Sequence, residues 1–172
     1  GLPMPLVIYL TGAGTSYWER YEDGNLIANN YGTNLSFDYA VTCWVGYDVI
    51  AATPHVTNNI ATSAPEVARV IEYFLASPDF NVSDVVLIGN SNGTSISTEV
   101  IRTHPELVDA FISNNGRFGE RRTPEQAGTE QEDTLLSWTE EELNALVEND
   151  ISFWLINGEW DNSAAAYFSQ KT

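Results

Sequence analysis

The sequence predicts an α/β fold: a doubly wound, mostly parallel sheet of about five strands in a three-layer α/β/α arrangement. Three observations predict it. Five short apolar runs have the length and the β-branched or aromatic content of buried strands. None alternates cleanly between apolar and polar residues, so both faces of each run are expected to be covered. Amphipathic helical patterns fall between them, and strand-helix-strand alternation builds a parallel sheet through right-handed crossovers.

In chain order the strand runs are LVIYLT (6–11), YDVIAA (47–52), DVVLIG (84–89), VDAFIS (108–113) and ISFWLIN (151–157). Between the second and third, SAPEVARVIEYFLAS has Ser63 and Glu66 at capping-box spacing and a proline early in the first turn. Val67, Val70, Ile71, Phe74 and Leu75 then make one apolar stripe. After Gly93, residues Ile96, Val100 and Ile101 predict a helix that ends before Pro105. TEEELNALVEND repeats the capping device with Thr139 and Glu142, followed by Leu143, Leu146 and Val147. Residues 117–137 break the rhythm, being polar, rich in Glu and Gly, and without a stripe. They read as a surface excursion, for which a solvated loop, a lid over a site and a partly disordered insertion are the open alternatives. There are no internal repeats.

A chain of 172 residues suits one domain spanning 1–172 with its own core. Apolar residues at 43% and aromatics at 12% fit a folded globular domain. No apolar stretch reaches the length of about 18 residues that a membrane-spanning helix needs. The formal charge of −17 comes from 24 acids against 7 basic residues, and Lys171 is the sole lysine. That balance argues against nucleic acid or an anionic membrane surface as a partner. Cys43 stands alone in AVTCWVGY, so no internal disulfide is expected and it reads as a small buried hydrophobe. Two isolated histidines and one cysteine fit no zinc spacing, so neither a metal nor a cofactor is expected. Asn-x-Ser/Thr triplets begin at Asn34, Asn81 and Asn92, and with the scarcity of lysine they lean towards an extracellular or cell-surface protein, the cytoplasm staying open. The start at Gly1, without a methionine or a signal-like segment, reads as trimmed.

The most informative stretch is DVVLIGNSNGTSIS, residues 84–97. An apolar strand runs into Gly89-Asn90-Ser91-Asn92-Gly93 and then into a helix, the context that a nucleophile elbow requires. The two glycines leave room where strand and helix come close, and Ser91 then projects from the C-terminal edge of the sheet. The expected sign is a strained Ser91, with positive φ and negative ψ. The N–H of Asn92, at the helix start, is placed to donate to an oxyanion. A rival reading, a dinucleotide-binding turn at Gly12-Ala13-Gly14, fails because Tyr17 stands where the third glycine belongs and no acidic strand end follows.

In this stretch the chain resembles the α/β-hydrolase superfamily, and two more stretches extend the resemblance over nearly its whole length. PLVIYLTGAGTSYWE resembles the family's strand and oxyanion loop, with Thr11-Gly12-Ala13 where many members have His-Gly-X. That implies the N–H of Ala13 as a second oxyanion donor, and Tyr17 and Trp18 either as walls of a substrate pocket or as packing under the loop. ISFWLINGEWDN resembles the family's late strand and acid loop, which implies Asp161 as the triad acid, with Glu159 as runner-up. The family order of strands places the second run at one edge of the sheet and ISFWLIN at the other. ISFWLIN carries no charge, whereas natural edges are blunted by charge or proline. A neighbouring strand is therefore expected, from a further C-terminal segment or a partner chain.

A triad also needs an imidazole. His104, in RTHPEL, falls at the end of the elbow helix away from Ser91, and His55, in AATPHVTNN, comes in the wrong chain order. The resemblance implies that the family's last strand, helix and histidine loop lie beyond Thr172, and that residues 1–172 alone are inactive. The activity implied is a serine hydrolase, carboxylesterase-like, acting on a small-molecule or polymer ester through an acyl-enzyme on Ser91. A prolyl-oligopeptidase-type serine peptidase and a non-catalytic hydrolase-like binding domain are the alternatives.

Overall fold

A computed structural model describes residues 1–12, 46–54, 56, 59–114 and 139–156, together with the backbone of residues 18–20 and 26–28. The excursion at 117–137 and Cys43 lie outside these residues. The strands are β1 (Met4–Leu10), β2 (Trp18–Arg20), β3 (Leu26–Ala28), β4 (Ile50–Ala52), β5 (Val82–Asn90), β6 (Ala110–Asn114) and β7 (Ser152–Ile156). The helices are α1 (Ile60–Ala76), α2 (Asn92–Thr103) and α3 (Glu140–Glu148), with a 3₁₀ turn at Pro105–Leu107.

Five of the strands make one all-parallel sheet in the order β4-β1-β5-β6-β7, the order expected for the five apolar runs. β2 and β3 form a separate antiparallel ribbon that pairs Trp18 with Ala28. At three residues each these two strands are too short to show a period in the sequence. The second run is shorter than expected. Tyr47 is 67% exposed in a turn, and pairing starts only at Ile50.

Register decides which face is buried. Leu6, Ile8, Val85, Leu87 and Phe111 lie side by side across β1, β5 and β6, and each is at most 2% exposed. Val67 and Ile71 of α1, Ile96, Val100 and Ile101 of α2, and Leu146 of α3 share one core with them. The three described helices therefore cover the same face. On the opposite face Tyr9, Val86, Ile88 and Ile112 are only half-buried and Trp154 is exposed. The third layer of the expected α/β/α arrangement lies outside the described residues. Among those residues, no helix is long and apolar enough to cross a membrane.

The helix ends follow from local chemistry, with one correction. Asn59, not Ser63, caps α1: its side chain accepts from the Thr62 N–H at 3.2 Å, so the helix starts a turn early. Ser63 is consequently buried and Pro65 falls inside the helix. The capping box of α3 is complete, with Thr139 N–H donating to Glu142 at 2.8 Å and Glu142 N–H donating to Thr139 Oγ1 at 3.2 Å. Its stripe differs from expectation. Leu146 is buried at 6%, while Leu143 and Val147 are 47% and 78% exposed. α3 ends in a Schellman motif. Asp150 takes the left-handed position at φ 52°, its N–H donates to Val147 O, and the Ile151 N–H donates to Leu146 O at 3.2 Å.

Two clamps act at the N-terminal edge of the sheet, one within the sheet and one between α2 and α3. Asp109 Oδ2 accepts from the Val85 N–H at 2.7 Å, and the Asp109 carbonyl accepts from the Ser152 N–H at 2.9 Å. Arg102 of α2 bonds Glu99 on its own helix and Glu142 of α3. The Glu99 bond raises the already high pKa of Arg102, against the opposing effect of partial burial.

Backbone meets backbone where α2 crosses β1. A Cβ on Gly93 would stand 2.1 Å from the Leu10 carbonyl oxygen and 2.8 Å from that of Thr11. Replacing Gly93 with alanine should lower unfolding free energy by at least about 3 kcal/mol, measured by urea denaturation. In the same assay Leu146→Ala should cost about 2–4 kcal/mol, while the exposed Val147→Ala stays within about 0.5 kcal/mol.

Candidate active site

The site is built at the C-terminal end of β5, where the strand must turn into α2 within one residue. Gly89 makes the turn possible from below: a Cβ there would lie 2.6 Å from Thr94 Cα and 2.7 Å from Thr94 N. Ser91 is the hinge, at φ 51° and ψ −116°, the sign pair expected of an elbow. A non-glycine residue in such a conformation stores about 1–3 kcal/mol of strain and persists only where its surroundings over-determine it. Two backbone hydrogen bonds and the strand register do so. The Ser91 N–H donates to the Asn114 carbonyl of β6 at 3.1 Å, the Ser91 carbonyl accepts from the Thr94 N–H at 2.9 Å, and β5 pairs with β6 with Asn90 opposite Asn114.

Ser91 occupies the N-cap position of α2, where a serine hydroxyl usually accepts from a first-turn N–H. Here it makes no such bond, and the residue is exposed. Asn92 follows as the first residue of α2, half-buried, and its N–H is among those that have no carbonyl to meet within the helix. The first turn holds no acidic residue, in a chain with 24 acids, so no carboxylate of that turn offsets the positive end of the helix. Gly12, just past the end of β1, lies against the serine. A Cβ there would be 3.1 Å from Ser91 Cβ and 3.6 Å from Ser91 Oγ.

Ser91, Asn92, Gly89 and Gly93 are thus brought together at one corner with Gly12. Ala13, Tyr17, Glu159, Asp161 and His55 lie outside the described residues. Trp18 is placed by its backbone alone, in β2. His104 caps the far end of α2, and the 13 steps from Ser91 to His104 at about 1.5 Å each put it about 20 Å from Ser91. Its ring stands 3.4 Å from Glu106 instead. Two contributors to the corner were not singled out in the sequence, Asn114 through its carbonyl and Thr94. Gly12 is read there as part of the oxyanion loop, without its contact with the serine. Asn114 depends on strand register, which no local pattern carries.

No protein-family model matches the chain, and no curated protein matches it in sequence. Solved structures do match in shape. A fluorophosphonate-binding serine hydrolase of Staphylococcus aureus, solved with substrate bound, aligns with a TM-score of 0.61 at 12% identity, over 98% of this chain and 71% of its own. A glucuronoyl esterase from Solibacter usitatus aligns with a TM-score of 0.56 at 13% identity, over 92% of this chain and 57% of its own. A hypothetical protein from Pseudomonas aeruginosa aligns with a TM-score of 0.51 at 11% identity, over 86% of this chain and 42% of its own. The chain spans about half the length of most of the solved structures it matches, between 40% and 57% in six of them. At such identities the likeness is one of fold, and the fold of this chain is that of the α/β-hydrolases.

Proposed function

We propose that the chain is the core of a serine hydrolase that cleaves carboxylic esters through an acyl-enzyme on Ser91. The observation that carries this reading is the strained, exposed Ser91 with its side chain spared from capping, at the N-terminus of α2. Strain held at one exposed serine supports a functional reading in a way that an ordinary turn would not. Ala13 and Asp161 enter from the resemblance in sequence.

In this mechanism Ser91 Oγ attacks the ester carbonyl carbon while a histidine takes the hydroxyl proton. The carbonyl electron pair moves onto oxygen, and the oxyanion meets the N–H groups of Ala13 and Asn92. Collapse breaks the bond to the alcohol, which leaves with the proton from the imidazolium. A water, deprotonated by the same histidine, then releases the acid and restores Ser91. Asp161 orients the imidazole. The distance of His104 removes it as that base, which leaves His55 or a histidine outside residues 1–172. The asparagine triplets and the scarcity of lysine support an extracellular setting.

The test uses a fluorophosphonate probe and short-chain nitrophenyl esters on the complete gene product. Ser91→Ala should abolish labelling and lower kcat by about 10⁶, and His104→Ala should leave kcat within about 3-fold. Residues 1–172 alone, without a base, should retain only the about 10³ to 10⁴ over water that oxyanion donors and binding supply. Loss of turnover on His55→Ala would instead name His55 as the base. Labelling that survives Ser91→Ala would overturn the reading. Inertness towards esters with cleavage of peptides would move it to the peptidase class.

A further inference from the structure

We propose that Thr94 is the positioning residue that aims the Asn92 N–H at the reacting oxygen, an inference that rests on the ester-hydrolase reading above. Thr94 is fully buried and makes two hydrogen bonds that straddle Ser91. Its hydroxyl donates to the Gly89 carbonyl at 2.9 Å, closing the turn across five residues. Its N–H donates to the Ser91 carbonyl, also at 2.9 Å.

The second bond reaches the chemistry through the planarity of the peptide. The Ser91 carbonyl and the Asn92 N–H belong to one rigid trans unit and point in opposite directions. Whatever holds the carbonyl therefore aims the N–H. With Ser91 at φ 51° and ψ −116°, that unit is under strain and would turn if released. Thr94 N–H holds it, and the hydroxyl bond to Gly89 fixes where the Thr94 N–H sits. The Thr94 backbone rests directly on Gly89, so no side chain could separate the two. One hydroxyl thus links the last turn of β5 to the direction of an oxyanion donor two residues before it.

A residue acting in this way affects the transition state and not substrate binding. Thr94→Val keeps the shape and removes the donor. In the complete gene product it should lower kcat on nitrophenyl esters by about 10- to 100-fold, with KM within about 2-fold and an unshifted pH profile. Thr94→Ser restores the donor and should bring kcat back to within about 3-fold of the parent, even with a lowered Tm. A folded Thr94→Val with undiminished kcat would sink the proposal, as would a Thr94→Ser that loses as much kcat as the valine variant. If the valine variant does not fold, the serine variant decides alone: kcat kept supports the hydroxyl, and kcat lost refutes it. Failure of the parent protein to label at Ser91 would refute the ester-hydrolase reading itself, a result distinct from either.

Discussion

Where α2 crosses β1, the backbone of Gly93 lies so near the Leu10 carbonyl that no side chain fits between them, and the geometry of the candidate site descends from that approach. A helix held one methyl group further away would have its N-terminus above the edge of the sheet instead of at it. Gly12 would no longer abut Ser91, and Thr94 would no longer rest on Gly89. The contact is also why the turn can be completed in a single strained residue. Tight packing of rigid elements supplies the restraint, and the strain at Ser91 is the local result.

The rest of the molecule holds this junction from behind. All three described helices share a core with the same face of the sheet, and Leu146 anchors α3 beside α2. Arg102 ties those two helices together through Glu99 and Glu142, at the end of α2 away from Ser91. Asp109 joins β5, β6 and β7 at the N-terminal edge. The Asp109 and Arg102 ties thus sit at one end of the strands, and the exposed serine at the other. This division is common where binding chemistry is carried by the carboxyl ends of a parallel sheet. Among the described residues the sheet ends at its far side in β7, where Phe153, Trp154, Leu155 and Ile156 are each between 37% and 64% exposed.

Much of this was legible because it is written locally. The elbow needs glycine at two fixed offsets from a serine, after an apolar run, and that pattern stands in one uninterrupted stretch from Asp84 to Ser97. Strand order followed from the resemblance and agrees with the pairing seen. What local patterns missed has a common cause, which is competition between equivalent signals or dependence on a distant segment. Asn59 and Ser63 are both good caps, and the earlier one wins because it captures the Thr62 N–H, which leaves Ser63 to be buried. Leu143 and Val147 match a helical period, but only Leu146 meets the core. Gly12 and Asn114 act on Ser91 through register between strands, which a reading of spacing cannot see. The acid, Asp161, and the donor, Ala13, rest on the resemblance alone.

The pairing of β1 has a consequence for synthesis. β1 lies inside the sheet, between β4 and β5, yet it precedes both of them in the chain. Its residues Leu6 to Leu10 must wait for Val85 to Gly89, about 80 residues later in the chain. At about 5–20 residues per second that is an interval of about 4–16 s in which an apolar strand has left the ribosome without its main partner. Closing so long a loop also delays the reward of pairing, which makes parallel sheets of this kind slow to form. The segment most in need of shelter during translation is therefore the same one against which Gly93 later closes.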